Sequence, residues 1–91
     1  MSNRKKYTLI TGASSGIGRE ISIKLSHKYN LILHGRDLER LEETKRMCND
    51  KNHIIWGCDL DSDMIISDEL TDLISSNQIV VSNFIHCAGI V

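Results

Sequence analysis

Charge of either sign is not in excess in this 91-residue sequence: eleven Lys and Arg face twelve Asp and Glu, a formal net charge of −1. Such a balance gives no general attraction to nucleic acid or to an anionic membrane. The one basic run, Arg4 to Lys6, reads as solvation of the chain end. No apolar run reaches the ~20 residues that span a bilayer, and no basic-then-apolar leader is present, so neither a membrane span nor secretion is expected. Cysteine is sparse and odd in number, with Cys48, Cys58 and Cys87 far apart. That pattern fits neither a disulfide framework nor a zinc site, and it makes a reducing cytoplasm the expected compartment. The four histidines, His27, His34, His53 and His86, lack i, i+4 pairing, so no metal site is expected. Proline is absent altogether. No linker, repeat or low-complexity segment divides the chain, so residues 1–91 read as one unit, short enough that its margin of stability should be thin.

What is present is organised around Tyr7 to Glu20, YTLITGASSGIGRE. Tyr7 to Thr11 reads as a buried strand, and Ile17, Ile21 and Leu25 then recur every fourth residue, the period of one helix face. Gly12, Gly16 and Gly18 therefore sit in a strand-to-helix turn, where backbone N–H groups and the positive end of the helix dipole converge on one point suited to a diphosphate. Gly12 permits the tight turn, Gly16 the approach of a pyrophosphate, and Gly18 the close packing of helix on strand. A P-loop is excluded because Arg19 and Glu20 stand where Lys and Ser or Thr would be required.

Strands and helices alternate from there on, the pattern of a parallel sheet with crossover helices. The first helix is predicted from Gly16 to His27 or Lys28, with Arg19, Glu20 and Lys24 toward solvent. A second strand spans Leu31 to Leu33, a second helix Leu38 to about Cys48, and a third strand Ile54 to Gly57. Asp37 would cap the second helix, with Leu38, Leu41, Lys45 and Cys48 inward. A third helix opens at Asp61 or Ser62 with Ile65, Ile66, Leu70, Leu73 and Ile74 inward, and Ile79 to Ala88 reads as a fourth strand buried on both sides. Trp56, Cys58 and Phe84 are assigned to the core, and His86 and Cys87 to packed strand positions. Right-handed crossovers then give a Rossmann-like α/β sheet of order 3-2-1-4, with the third helix on the opposite face from the first two. Ligands of such sheets bind at the carboxyl ends of the strands, at the switch point between strands one and four.

TGASSGIG at Thr11 to Gly18, GRD at Gly35 to Asp37, CDL at Cys58 to Leu60 and HCAG at His86 to Gly89 each fall at a predicted strand end. Together they resemble, in order, the cofactor-binding part of a short-chain dehydrogenase/reductase, over essentially the whole chain. The resemblance implies an oxidoreductase acting on a carbonyl or alcohol with a nicotinamide dinucleotide. It implies that Gly12, Ser14, Ser15, Gly16, Ile17 and Gly18 bind the cofactor, Ser14 and Ser15 by added hydroxyl contacts, that Asp59 and Leu60 meet adenine, and that Ala88 and Gly89 run along the inner half of the cofactor. Gly35 takes the place of the acid that binds ribose hydroxyls in NAD-preferring members, and Arg36 follows it, which implies NADP over NAD. Asp37, nineteen residues after Gly18, nearly meets the generic spacing for a ribose-binding acid, a second reading beside its role as helix cap, and Asp59 keeps a second reading as a cap of the third helix. His86 and Cys87 replace two asparagines whose amides tie this strand to its neighbours.

The family's Tyr-x-x-x-Lys pair is absent: Tyr7 and Tyr29 are followed four residues on by Thr11 and Leu33. No catalytic residue is therefore assigned. The chain reads as an amino-terminal portion of a reductase that lacks the second half of the doubly wound fold and is inactive by itself. The alternative is a non-catalytic nucleotide-binding or assembly module that functions at this length. In either case the outer edge of strand four would be left to pair with a second copy of the chain.

Overall fold

The computed structural model describes residues 5–14, 16–49, 52–57 and 63–87, leaving aside the side chains of 63–67 and 69. The elements are β1 (Lys5–Thr11), α1 (Gly16–Leu25), β2 (Asn30–Gly35), α2 (Leu38–Met47), β3 (Ile54–Gly57), α3 (Asp63–Asn77) and β4 (Ile79–His86). The strands form one parallel sheet of order β3-β2-β1-β4, as the crossover rule requires.

Strand alternation divides the core into two clusters. Ile10, Leu31 and Leu33 meet Leu41 of α2, with Ile21 and Leu25 of α1 packed against them. On the opposite face Tyr7, Leu9, Ile32 and Trp56 meet Leu70, Leu73 and Ile74 of α3. Leu9, Ile10, Leu31, Ile32 and Leu33 are essentially inaccessible to solvent, and burial of each contributes about 1.5–3 kcal/mol.

Helix α2 is built from strong helix formers, with Asp37 as its N-cap accepting from Arg40 N, Glu39 in its first turn, and Lys45 and Arg46 in its last. That distribution of charge suits the helix dipole. Its inner face is Leu41 and Thr44, not the Leu38, Leu41, Lys45 and Cys48 row predicted. Lys45 is exposed, and Leu38 is 59% exposed because it lies over Gly57, which has no side chain to bury it. Helix α1 also rotates away from its apolar row. Gly18 and Ser22 are the buried positions, while Ile17 is 52% exposed. A helix drawn onto the strand through a glycine presents its small residues to the sheet, which moves Ile21 and Leu25 to the flank. The helix ends at Leu25, short of His27, because Lys28 N and Tyr29 N both close on the Leu25 carbonyl.

Strand β4 departs most from expectation. Its burial is confined to Ile79 with partial cover at Val81 and Ile85; Val80 is 41% and Phe84 59% exposed. It is not buried on both sides, and Phe84 is not core. Two causes combine. The strand lies at the sheet edge, and its register against β1 shifts, with Tyr7 opposite Val81 but Thr8 opposite Asn83. The extra residue, Ser82, reverses the side-chain alternation. Val81 therefore packs on the α3 side and Ile85 on the α1–α2 side, and Phe84 is turned out to stack loosely on His86. The predicted first residues of α3, Asp61 and Ser62, lie outside the described residues, as do Cys58 and the side chains of Ile65 and Ile66.

Candidate dinucleotide site

The carboxyl ends of the four strands come side by side, with Thr11 opposite His86 and Gly35 opposite Gly57. The turn after β1 is shaped by two glycines in the left-handed region, Gly12 at φ 69° and Gly16 at φ 61°, where L-residues are strained. Beside Gly16 a Cβ would meet nothing within 4 Å, so the backbone there faces open space. Gly18 is the opposite case: a Cβ would run into the Gly12 carbonyl and come 3.2 Å from Ala13 Cα, which is why the helix can lie so close to the turn. The first turn of α1 carries no acidic residue, so nothing in it competes with an anion for the helix N–H groups.

The turn is held from β2 as well. Ala13 N donates to His34 O at 2.8 Å, and half-buried Ser14 lies against the end of β2, where a Cβ on Gly35 would sit 3.2 Å from both Ser14 Cβ and Leu41 Cδ2. A carboxylate side chain at Gly35 would thus force Ser14 and Leu41 apart. Next along, Arg36 is exposed. Asp37 is engaged by Arg40, through the cap bond to Arg40 N at 3.3 Å and an ion contact to Arg40 Nε at 3.6 Å. Its cap reading therefore holds.

On the other side, Thr11 joins the ends of β1 and β4. Cys87 N donates to Thr11 Oγ1 at 3.1 Å and lies 3.2 Å from Thr11 O, and Thr11 Oγ1 is in hydrogen-bond contact with His86 Nδ1 at 2.9 Å. The tie expected of asparagine amides is made here by a threonine hydroxyl. Cys87 is buried as predicted, whereas His86 is exposed rather than packed.

Of the sequence-predicted site residues, Gly12, Ser14, Gly16, Ile17 and Gly18 gather on the turn, and Arg36 stands at the neighbouring strand end. Ser15, Asp59, Leu60, Ala88 and Gly89 lie outside the described residues. Arg19, predicted to face solvent, instead docks on α2. Its Nε donates to Thr44 Oγ1 at 2.8 Å, its Nη2 to Arg40 O at 3.0 Å, and Glu43 Oε2 lies 3.6 Å away. Thr44, which sequence reasoning passed over, is wholly buried and bonds to Ala13 O at 2.9 Å. The available signal was a β-branched polar residue three positions after Leu41, on the buried face of an otherwise straight-chain helix. Among the described residues no cluster of His, Cys, Asp or Glu could hold a metal ion, and no helix is long and apolar enough to cross a membrane.

Comparison with known proteins agrees with this geometry. An uncharacterized oxidoreductase of Staphylococcus epidermidis is 30% identical over 84 residues, covering 91% of this chain and 33% of that protein. A very-long-chain 3-oxoacyl-CoA reductase of Vanderwaltozyma polyspora is 37% identical over 54 residues, covering 58% of this chain and 16% of that protein. The chain thus spans a third or less of the length of these curated relatives. Among solved structures, a β-ketoacyl-[ACP] reductase from Bacteroides thetaiotaomicron superposes with a TM-score of 0.80 at 26% identity, over 94% of this chain and 43% of that one. A metagenomic short-chain oxidoreductase in complex with NADP gives 0.74 at 26% identity, over 92% and 39%. The family model described as short chain dehydrogenase matches residues 6–91. With the parallel 3-2-1-4 sheet and the glycine turn at its switch point, the conclusion is that this chain belongs to the short-chain dehydrogenase family.

Proposed function

We propose that this chain supplies the adenosine-diphosphate half of an NADP(H) site in an oxidoreductase acting on a carbonyl or alcohol. The observation that carries the reading is the open space beside Gly16, bounded by a helix turn without carboxylates. In that space the backbone from Gly12 to Gly18, with Ser14, Ser15 and Ile17, would hold the pyrophosphate. Asp59 and Leu60 would meet adenine, and Ala88 and Gly89 would follow the inner half of the cofactor. The engagement of Asp37 by Arg40 supports Arg36 as the group presented to the ribose, and a guanidinium suits a 2′-phosphate. The NADP bound to one structural relative favours the same cofactor. When bound, the nicotinamide accepts or gives a hydride.

Within these 91 residues nothing is assigned to proton transfer. Tyr7 is buried and donates its hydroxyl proton to Asn52 O, and neither tyrosine has a lysine four residues on. The chain alone is therefore proposed to bind nucleotide without turning over a substrate. A reducing cytoplasm is its proposed setting, in keeping with free Cys48 and Cys87.

Calorimetric titration with 2′,5′-ADP and 5′-AMP tests the cofactor reading. The 2′-phosphate should tighten binding by about tenfold, the value of one charge-assisted pair, and Arg36→Asp should abolish the difference. Equal affinities in the wild type would overturn the assignment.

A further inference from the structure

Both backbone polar groups of Ala13, which belong to successive peptide units, are held. Its N–H donates to His34 O on β2 at 2.8 Å, and its carbonyl lies 2.9 Å from Thr44 Oγ1 on α2. The Thr44 hydroxyl is also 3.1 Å from Arg40 O and accepts from Arg19 Nε at 2.8 Å. A hydroxyl has one proton to give. Arg40 O already accepts from Arg19 Nη2, and Ala13 is wholly buried, so the proton belongs on the shorter contact, to Ala13 O. Arg19 thereby fixes which way the threonine donates.

The consequence reaches the open side of the turn. In a trans peptide the C=O and the following N–H point in opposite directions. Drawing the Ala13 carbonyl toward α2 aims the Ser14 N–H away from α2. We infer that Thr44, held by Arg19, is a positioning residue for phosphate binding: it sets the plane of the Ala13–Ser14 peptide so that the turn presents its N–H groups to the 5′-phosphate of a nucleotide. This inference rests on the cofactor reading above. Thr44 touches no ligand itself; it acts through Ala13. The residue lies 31 positions away in sequence, on a helix that the glycine pattern does not include.

The test isolates the 5′-phosphate. Adenosine 2′-monophosphate and 2′,5′-ADP differ only in that group, so the ratio of their dissociation constants measures its gain. Wild-type protein should gain about tenfold or more from it, as expected for charge-assisted hydrogen bonds. Thr44→Val, which keeps the shape and removes the hydroxyl, should lose most of this gain while binding adenosine 2′-monophosphate like the wild type. Thr44→Ser should keep the gain. Arg19→Gln, on the outer side of the network, should lose part of it, and it carries the test alone should Thr44→Val not fold. Wild-type protein that binds neither ligand overturns the cofactor reading and this inference with it. A wild type that gains from the 5′-phosphate while Thr44→Val gains as much, or while Thr44→Ser loses as much as Thr44→Val, overturns this inference alone. If Arg19→Gln is the only variant to fold, an undiminished gain in it does the same.

Discussion

Tyr7 donates its hydroxyl proton to Asn52 O at 2.6 Å from a buried position on the central strand, and burial raises its pKa above the usual value near 10. A group whose folded pKa is raised contributes stability that is complete below the unfolded value and is lost as pH climbs through the folded one. The wild type should therefore lose stability above pH 10 relative to Tyr7→Phe, which has no phenol to ionise. Cys48, whose thiol burial also pushes up, titrates in both proteins and cancels from the comparison. Urea midpoints measured from pH 8 to 11 would check this, and parallel curves for the two proteins would contradict it. At this scale the sequence was most legible where a residue acts on its own backbone. Gly12, Gly18 and Asp37 could be read because φ, close approach and capping are local requirements. Arg19 and Thr44 could not, because the direction of a long side chain on α1 is decided by what α2 offers 25 residues later.

Among the elements, β3 was read from Ile54 to Gly57 as it stands, since a short apolar run between polar loops has one plausible pairing. Strand β4 was misread because a period of two assumes an unbroken ladder, and the bulge at Ser82 breaks it. The bulge makes Ser82 the residue that the pairing does not use. Its deletion should leave Val81 opposite Tyr7 and Asn83 opposite Thr8 with every side chain on its present face, at a cost of about 1 kcal/mol or less. Deleting Ser82 and Asn83 together forces a choice. Either Ile85 and Cys87 or Ile79 and Val81 must leave the face on which they pack, which should cost about 3 kcal/mol or more. Denaturant unfolding of the two deletion variants compares them directly. A single deletion as costly as the double one would show that Ser82 is needed in its own right.

Over the whole molecule, the sheet has a covered interior and one conspicuous border. Among the described residues no strand lies beyond β4, and Val80 and Phe84 stand exposed along it. An edge with unpaired backbone and apolar side chains invites another chain. The 91-residue protein should therefore self-associate at high micromolar concentration, and Val80→Lys with Phe84→Lys should shift it toward monomer. Light scattering on a sizing column reads both, and a monomeric wild type would refute the expectation. The central place of β1 has a further consequence, in time rather than space. One side of β1 is covered by β2, which follows within about 25 residues, whereas its other side waits for β4, about 75 residues later. At ribosomal rates of roughly 5–20 residues per second, the roughly 50 residues between the arrival of β2 and that of β4 take about 2.5–10 s. For those seconds the nascent chain carries its central strand, five residues of which end up buried, half paired, so the period of greatest exposure to misassembly falls during its own synthesis, before the fold can close.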